Sequence, residues 1–158
     1  MSKTTVLRFF VFDAVLTDPF LPCGPIVALY LALPAVFFLN ALPCGLDSQG
    51  TQCPSPPSYV PRPLSLNSDD MTFLQRVKNM VIFLSENFLC NVVYLPYGPL
   101  ASEILQKDVT VQDLLGSGSV WLLRSDFVKD YARPIMPNMV FVGGINCASK
   151  KPLSQVCI

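Results

Sequence analysis

The chain has no histidine. That absence removes the commonest general base and the one side chain whose ordinary pKa lies near neutrality. The usual zinc sets go with it. The six cysteines (Cys23, Cys44, Cys53, Cys90, Cys147 and Cys157) are scattered and form no C-x-x-C pair. Charge is also scarce: Asp, Glu, Lys and Arg make up 14% of the residues, and 11 basic groups balance 11 acidic ones. A nucleic-acid partner requires a concentrated basic surface, so none is expected. No G-x-G-x-x-G run occurs, and Gly143-Gly144 precedes no clear helix, so it reads as a tight turn rather than a phosphate cradle. No internal repeat, nucleophile–base pair or metal cluster stands out, and neither a cofactor nor a metal site is expected.

What is present is apolar. Hydrophobic residues reach 51%, and the mean hydropathy of +0.46 is high for a soluble domain. The chain is therefore either a core-rich piece of something larger or one that touches a membrane. The stretch from Pro19 to Leu46 carries no charge and is long enough to span a bilayer. Pro19, Pro22, Pro25, Pro34 and Pro43 argue against a span, since a mid-helix proline costs about 3 kcal/mol. The stretch reads as a turn, a helix over Gly24 to Leu33 and a strand over Ala35 to Asn40. A buried α/β layer has the same hydropathy. Lys3 and Arg8 charge the first residues, but the apolar run between them is too short for a signal peptide, and no anchor is read at the other end. The even cysteine count suits buried thiols, or disulfides in an oxidising compartment with a pairing that spacing does not assign.

At 158 residues the chain fits one ordinary domain. Phe12 to Pro19 reads as a buried strand running into a turn, which puts Asp18 at the strand's carboxyl end. Open α/β sheets place their ligand crevice there, so Asp18 is the candidate catalytic residue, one able to orient a base. Gly45 to Leu66, with Cys53-Pro54-Ser55-Pro56-Pro57 and Pro61-Arg62-Pro63, reads as a long stiffened connection that either lines a pocket or runs over the surface. Ser68, Asp69 and Asp70 offer an N-cap for the clearest helix. Along it Phe73, Leu74, Val77, Met80, Val81, Leu84 and Phe88 form one apolar face, expected to pack on a sheet, with an acceptor pocket or a membrane surface as the sharper alternatives. A helix from Pro99 to Gln106 follows. Thr110-Val111-Gln112-Asp113 is a capping box for another that ends at Gly116. Ser117-Gly118-Ser119 reads as a turn, and Val120 to Leu123 and Met139 to Val142 read as strands. Periodicity alone thus gives an α/β domain.

Several long blocks go further. They are Leu16-Thr17-Asp18-Pro19-Phe20-Leu21-Pro22-Cys23, Met71-Thr72-Phe73-Leu74-Gln75-Arg76-Val77-Lys78-Asn79-Met80, Ser119-Val120-Trp121-Leu122-Leu123-Arg124-Ser125-Asp126-Phe127-Val128, and Arg133-Pro134-Ile135-Met136-Pro137-Asn138-Met139-Val140-Phe141-Val142-Gly143-Gly144-Ile145-Asn146-Cys147. They resemble the UDP-glucuronosyltransferases, most closely the bilirubin-conjugating type of family 1. The likeness runs from Phe12 to Gln155, leaving residues 1–11 unmatched and 156–158 as a divergent tail.

The resemblance implies a GT-B glycosyltransferase, of which this chain is the latter part of the Rossmann-like N-terminal, acceptor-binding domain. It implies transfer of glucuronic acid from UDP-glucuronic acid to small lipophilic acceptors such as bilirubin, phenols and steroids. It implies a lumenal site on the endoplasmic reticulum membrane. In the family a histidine takes the acceptor's proton, and Asp18 stands where an aspartate orients that histidine. The histidine-bearing start of the domain, the C-terminal UDP-sugar domain with its Trp-x-Pro-Gln and His-Gly-Gly elements, and the membrane helix have no counterpart in these residues. The chain alone is therefore expected to be inactive. Its partners are expected to be a lipophilic acceptor, intact family members in a homo- or hetero-oligomer, and a membrane surface.

Overall fold

The computed structural model describes residues 11–40, 43–125 and 130–145. The segment holding Lys3 and Arg8, the cysteines Cys147 and Cys157, and the tail from Val156 lie outside the described residues.

Four parallel strands form one sheet in the order β1-β2-β3-β4. They are β1 (Val15–Thr17), β2 (Ala35–Leu39), β3 (Gly118–Leu123) and β4 (Met139–Phe141). Val15 pairs with Ala35, Phe37 with Trp121 and Leu123 with Phe141. β2 is rich in β-branched and aromatic residues, and Ala35, Phe37 and Leu39 point into the core while Val36 and Phe38 stay half-buried. The Phe37 ring meets Trp121 edge-on with centroids 4.9 Å apart, an arrangement the ring quadrupoles favour.

The charge-free stretch is turn, helix and strand, as its prolines predict. Helix α1 (Cys23–Leu31) ends where Ala32 turns left-handed (φ 54°) and the N–H of Leu33 closes on the Ala28 carbonyl at 3.0 Å. Pro34 then starts the run into β2. The strand expected over Phe12 to Pro19 is shorter and less buried than its sequence suggests: β1 has 3 residues, and Leu16 is 69% exposed. The reason is position. β1 is an edge, paired to β2 on one side and to no other strand among the described residues.

The connection from Gly45 is not structureless at its start. A 3₁₀ turn (Pro43–Gly45) and the short helix α2 (Leu46–Thr51) come first. Helix α3 (Phe73–Tyr94) begins after Thr72, whose N–H donates to Gln75 Oε1 at 2.8 Å, so the cap is neither Ser68 nor the two aspartates. Helix α4 (Tyr97–Leu105) starts before Pro99, and α5 (Val111–Gly116) opens with the predicted box. There the Thr110 N–H donates to Asp113 Oδ2 at 2.9 Å and the Asp113 N–H donates to Thr110 Oγ1 at 3.2 Å. The Thr110 hydroxyl, which donates to the same Oδ2 at 2.6 Å, and then the Thr110 N–H hold the Asp113 carboxyl below the usual range. Gly118 and Ser119, expected in a turn, already belong to β3.

The largest correction concerns the orientation of α3. Phe73, Leu74, Val77, Met80, Val81, Leu84 and Phe88 are all exposed. The inward face carries Asn79, Phe83, Glu86, Cys90 and Tyr94 instead, again at helical spacing. This side packs partly on the proline-rich connection, where it must supply polar partners for backbone groups. Asn79 is fully buried. Its Nδ2 donates to the Pro57 and Val60 carbonyls at 2.6 and 3.0 Å, and its Oδ1 accepts from the Arg62 N–H at 2.8 Å. Lys78 Nζ donates to the Ser65 carbonyl at 2.8 Å. A disulfide, Cys44–Cys90, ties α3 to the 3₁₀ turn after β2, so for these two cysteines the disulfide alternative holds, with a pairing that spacing had not assigned. Cys53 remains a buried thiol and Cys23 an exposed one. Arg133 pairs with the buried Asp47 at 2.8 Å and holds the approach to β4 against α2.

Among the described residues no single helix is long and apolar enough to cross a membrane. α3 and α4, bent by 44° at their break, reach that length and composition only together.

Candidate functional site

All four strands are parallel, so their carboxyl ends lie along one edge of the sheet. Asp18 follows β1 directly at this edge and is exposed. Its Oδ1 accepts the Phe20 N–H at 2.9 Å, closing an Asx turn that fixes the carboxylate's direction. No hydrogen bond within the described residues occupies Oδ2. The turn is held from behind by α1: a Cβ on Gly24 would collide with the Thr17 side chain, so only glycine lets the helix start so close to the strand end.

Tyr94, at the far end of α3, completes the setting. Its ring is buried, and its hydroxyl donates to the Phe20 carbonyl at 3.0 Å, inside the Asp18 turn. Burial, then Tyr97, then the negative field of Asp18 push the phenol above its ordinary pKa, so it stays a donor at neutral pH. The same ring lines a cavity of about 840 Å³ whose walls include Leu46, Leu95, Pro99, Val109 and Val111. That volume falls in the range of small-molecule sites, and the wall mixes these apolar side chains with polar ones, among them Gln49, Asn87, Asn91, Ser102 and Asp108. An exposed carboxylate and a cavity of mixed lining thus share one tyrosine.

Gly143-Gly144 follows β4 with Gly144 left-handed (φ 71°), and no helix begins after it within the described residues. Tyr94 was missed by sequence reasoning. Its signal was present: Asn79, Glu86, Cys90 and Tyr94 recur at helical spacing on the side opposite the apolar stripe. A stripe of phenylalanine and leucine hides a face whose members differ in chemistry.

Fold and strand-end geometry define a class first. A parallel sheet flanked by helices, with a carboxylate at its carboxyl edge, is part of a Rossmann-like α/β domain of the kind GT-B glycosyltransferases contain. The family model described as UDP-glucoronosyl and UDP-glucosyl transferase matches residues 4–157, and the chain belongs to that family. Over 144 residues, 91% of the chain, it is 75% identical to UDP-glucuronosyltransferase 1A1 of Homo sapiens and 74% identical to UDP-glucuronosyltransferase 1A1 of Mus musculus. Identity to the human UDP-glucuronosyltransferase 1A4 is 60% over the same span. The chain covers 27% of the length of these relatives. No solved structure matches it.

Proposed function

We propose that this chain supplies the acceptor side of a UDP-glucuronosyltransferase, and that Asp18 orients the catalytic histidine. The observation that carries this reading is an exposed carboxylate at the carboxyl end of a strand that is an edge among the described residues, with one oxygen that no described residue engages. A further parallel strand added beside β1 from elsewhere in the enzyme would end next to Asp18. An imidazole at that end donates one N–H to Asp18, which fixes its tautomer and stabilises the imidazolium that forms. The other ring nitrogen takes the acceptor's O–H proton. The acceptor oxygen bonds to the anomeric carbon of UDP-glucuronic acid, the bond from that carbon to UDP breaks, UDP leaves with the electron pair, and the centre inverts. The cavity behind Tyr94, with Leu46, Leu95, Pro99, Val109 and Val111 in its wall, holds a lipophilic acceptor such as bilirubin, a phenol or a steroid. A lumenal position at the endoplasmic reticulum membrane agrees with the Cys44–Cys90 bond, which persists in oxidising compartments.

A chimera tests this. The 144 aligned residues replace their counterparts in the mouse 1A1 relative. Glucuronide formation should persist, and Asp18→Asn should lower kcat by roughly 10³ to 10⁴ with little change in the KM for UDP-glucuronic acid. The polypeptide of residues 1–158 by itself should form no glucuronide. Undiminished turnover in the Asp18→Asn chimera, or turnover by the isolated polypeptide, would overturn the reading.

The exposed apolar face of α3 favours a second reading, a non-catalytic partner that binds intact family members and alters their activity. Co-expression with an intact relative decides it: no co-purification and unchanged activity would exclude it.

A further inference from the structure

The proline-rich connection buries a cation that no carboxylate among the described residues pairs with. Arg62 is 5% exposed, and among the described residues it makes no ion pair. Its backbone is held on both sides, the N–H by Asn79 and the carbonyl by the Ser65 hydroxyl at 2.7 Å. The guanidinium carbon lies over the Phe83 ring, 4.4 Å from its centroid. Its Nε is buried with no hydrogen-bond partner. A Cβ on Gly45 would sit 3.0 Å from Nη1, so the chain opposite is glycine where the guanidinium edge arrives. Arg62, Phe83, Cys44, Gly45, Ser48 and Ser55 help to line a cavity of about 310 Å³. This cavity shares only Gln49 with the larger one behind Tyr94.

A buried guanidinium without a counter-charge is unfavourable, and the interior offers it none at contact distance. Glu86 is the nearest candidate. Its field favours the charged arginine, yet its Oε2 is itself buried without a partner and no ion pair joins the two. Burial consequently pulls Arg62 below the usual guanidinium range and pushes Glu86 above the usual carboxylate range. The paired N–H donors of a guanidinium fit a carboxylate bidentately in its plane. The walls beside it offer hydrocarbon at Phe83 and sulfur at Cys44 and Cys53, with Ser48, Gln49, Gln52 and Ser55 as polar partners, a mixture that suits an organic anion. We propose that this cavity is a binding site for a small organic carboxylate, gripped at its charged end by Arg62 and packed along Phe83 and the Cys44–Cys90 bridge. The volume suits an acid of about one ring. The site is independent of the transfer chemistry proposed for Asp18, and its occupancy is read directly.

Saturation-transfer NMR on the full oxidised chain at neutral pH, with benzoate as probe, tests this. Benzoate should bind, and neutral benzamide, the same shape without the charge, should bind about tenfold more weakly. Arg62→Met should abolish the benzoate signal. Glu86→Gln should tighten benzoate by about threefold, because it removes a neighbouring negative charge. Equal binding of benzamide, undiminished benzoate binding by a folded Arg62→Met protein, or no benzoate binding to the parent chain would overturn the proposal. Displacement of benzoate by an equal concentration of inorganic phosphate would overturn the assignment to organic acids. If Arg62→Met does not fold, the benzoate-to-benzamide ratio on the parent chain decides, since it needs no substitution.

Discussion

The sheet and the long helix α3 sit in one small molecule but are held by different forces. In the sheet, Phe37, Leu39, Trp121 and Leu123 are all but fully buried and pack as hydrocarbon against hydrocarbon. On α3 the buried residues are Asn79, Cys90 and Tyr94, and they act through three amide hydrogen bonds, one covalent bond and one phenolic hydrogen bond. Apolar burial is non-directional and tolerates small shifts, whereas these contacts fix α3 at points. The sheet should therefore behave as the stable unit and α3 as an element pinned to it. The pins converge on functional ground: Tyr94 reaches the Asp18 turn, and Cys90 anchors the helix behind both cavities.

Removing the covalent pin should separate the two regions most clearly. The Cys44–Cys90 bridge closes a sequence separation of 46 residues, for which loop-closure entropy gives about 4 kcal/mol. The double variant Cys44→Ala/Cys90→Ala should lose up to that amount in urea denaturation. Its amide hydrogens in α3 and the proline-rich connection should exchange faster than those of β2 and β3. Uniform acceleration in all of them would mean that the sheet and α3 unfold as one unit and that the comparison is mistaken.

The sheet side was legible because its strands obey a simple rule. Ala35 to Leu39 and Val120 to Leu123 are short β-prone runs bounded by turn signals, and both formed strands. Capping chemistry was equally readable at Thr110 and Asp113, where the partners lie three residues apart. Asp18 could be placed at a strand end because Pro19 stops the strand. What sequence could not supply was the depth of β1, because that depends on which strand lies beside it. It also misjudged α3. A stripe of seven apolar residues is normally the buried side, but Pro54, Pro56, Pro57, Pro61 and Pro63 stiffen a connection whose carbonyls need donors. That demand turned Asn79 inward. Arg62 was visible only as a residue between two prolines, and nothing in that pattern announces a buried cation.

Glu86 offers a smaller test within the polar region. Burial outweighs the attraction of Arg62 and raises its pKa above the ordinary 4.5. Below that ordinary value both folded and unfolded chains carry the proton, and the side chain carries no charge penalty. As pH rises the unfolded chain releases the proton first. Stability therefore falls from about pH 4.5 upward, until the folded carboxyl has also ionised. Glu86→Gln should remove that decline and leave the protein more stable at pH 7. The gain should stay under about 1 kcal/mol, because part of the carboxyl is screened by water. Thermal melts at pH 4 and pH 7 check this. A variant less stable than the parent at pH 7 would show that the attraction to Arg62 dominates after all.

The smallest expected effect is the most discriminating. Phe88 is the last residue of the stripe that periodicity assigns to the core, and it is 74% exposed. Serine and phenylalanine have similar helix propensity, so Phe88→Ser changes little but the burial term. If the outer face of α3 meets only solvent, the variant should lie within about 0.5 kcal/mol of the parent in urea denaturation. If the face packs against a core or a second copy, losing the ring should cost about 3 kcal/mol or more. In the second-copy case the cost should shrink on dilution, since an association contributes to stability only through concentration. A large and concentration-independent loss would place the stripe in the monomer's own core and reverse the orientation of α3. That in turn would withdraw Tyr94 from the Asp18 turn. Substituting one exposed phenylalanine thus tests whether the helix presents its polar face to the proline-rich connection and its tyrosine to the site.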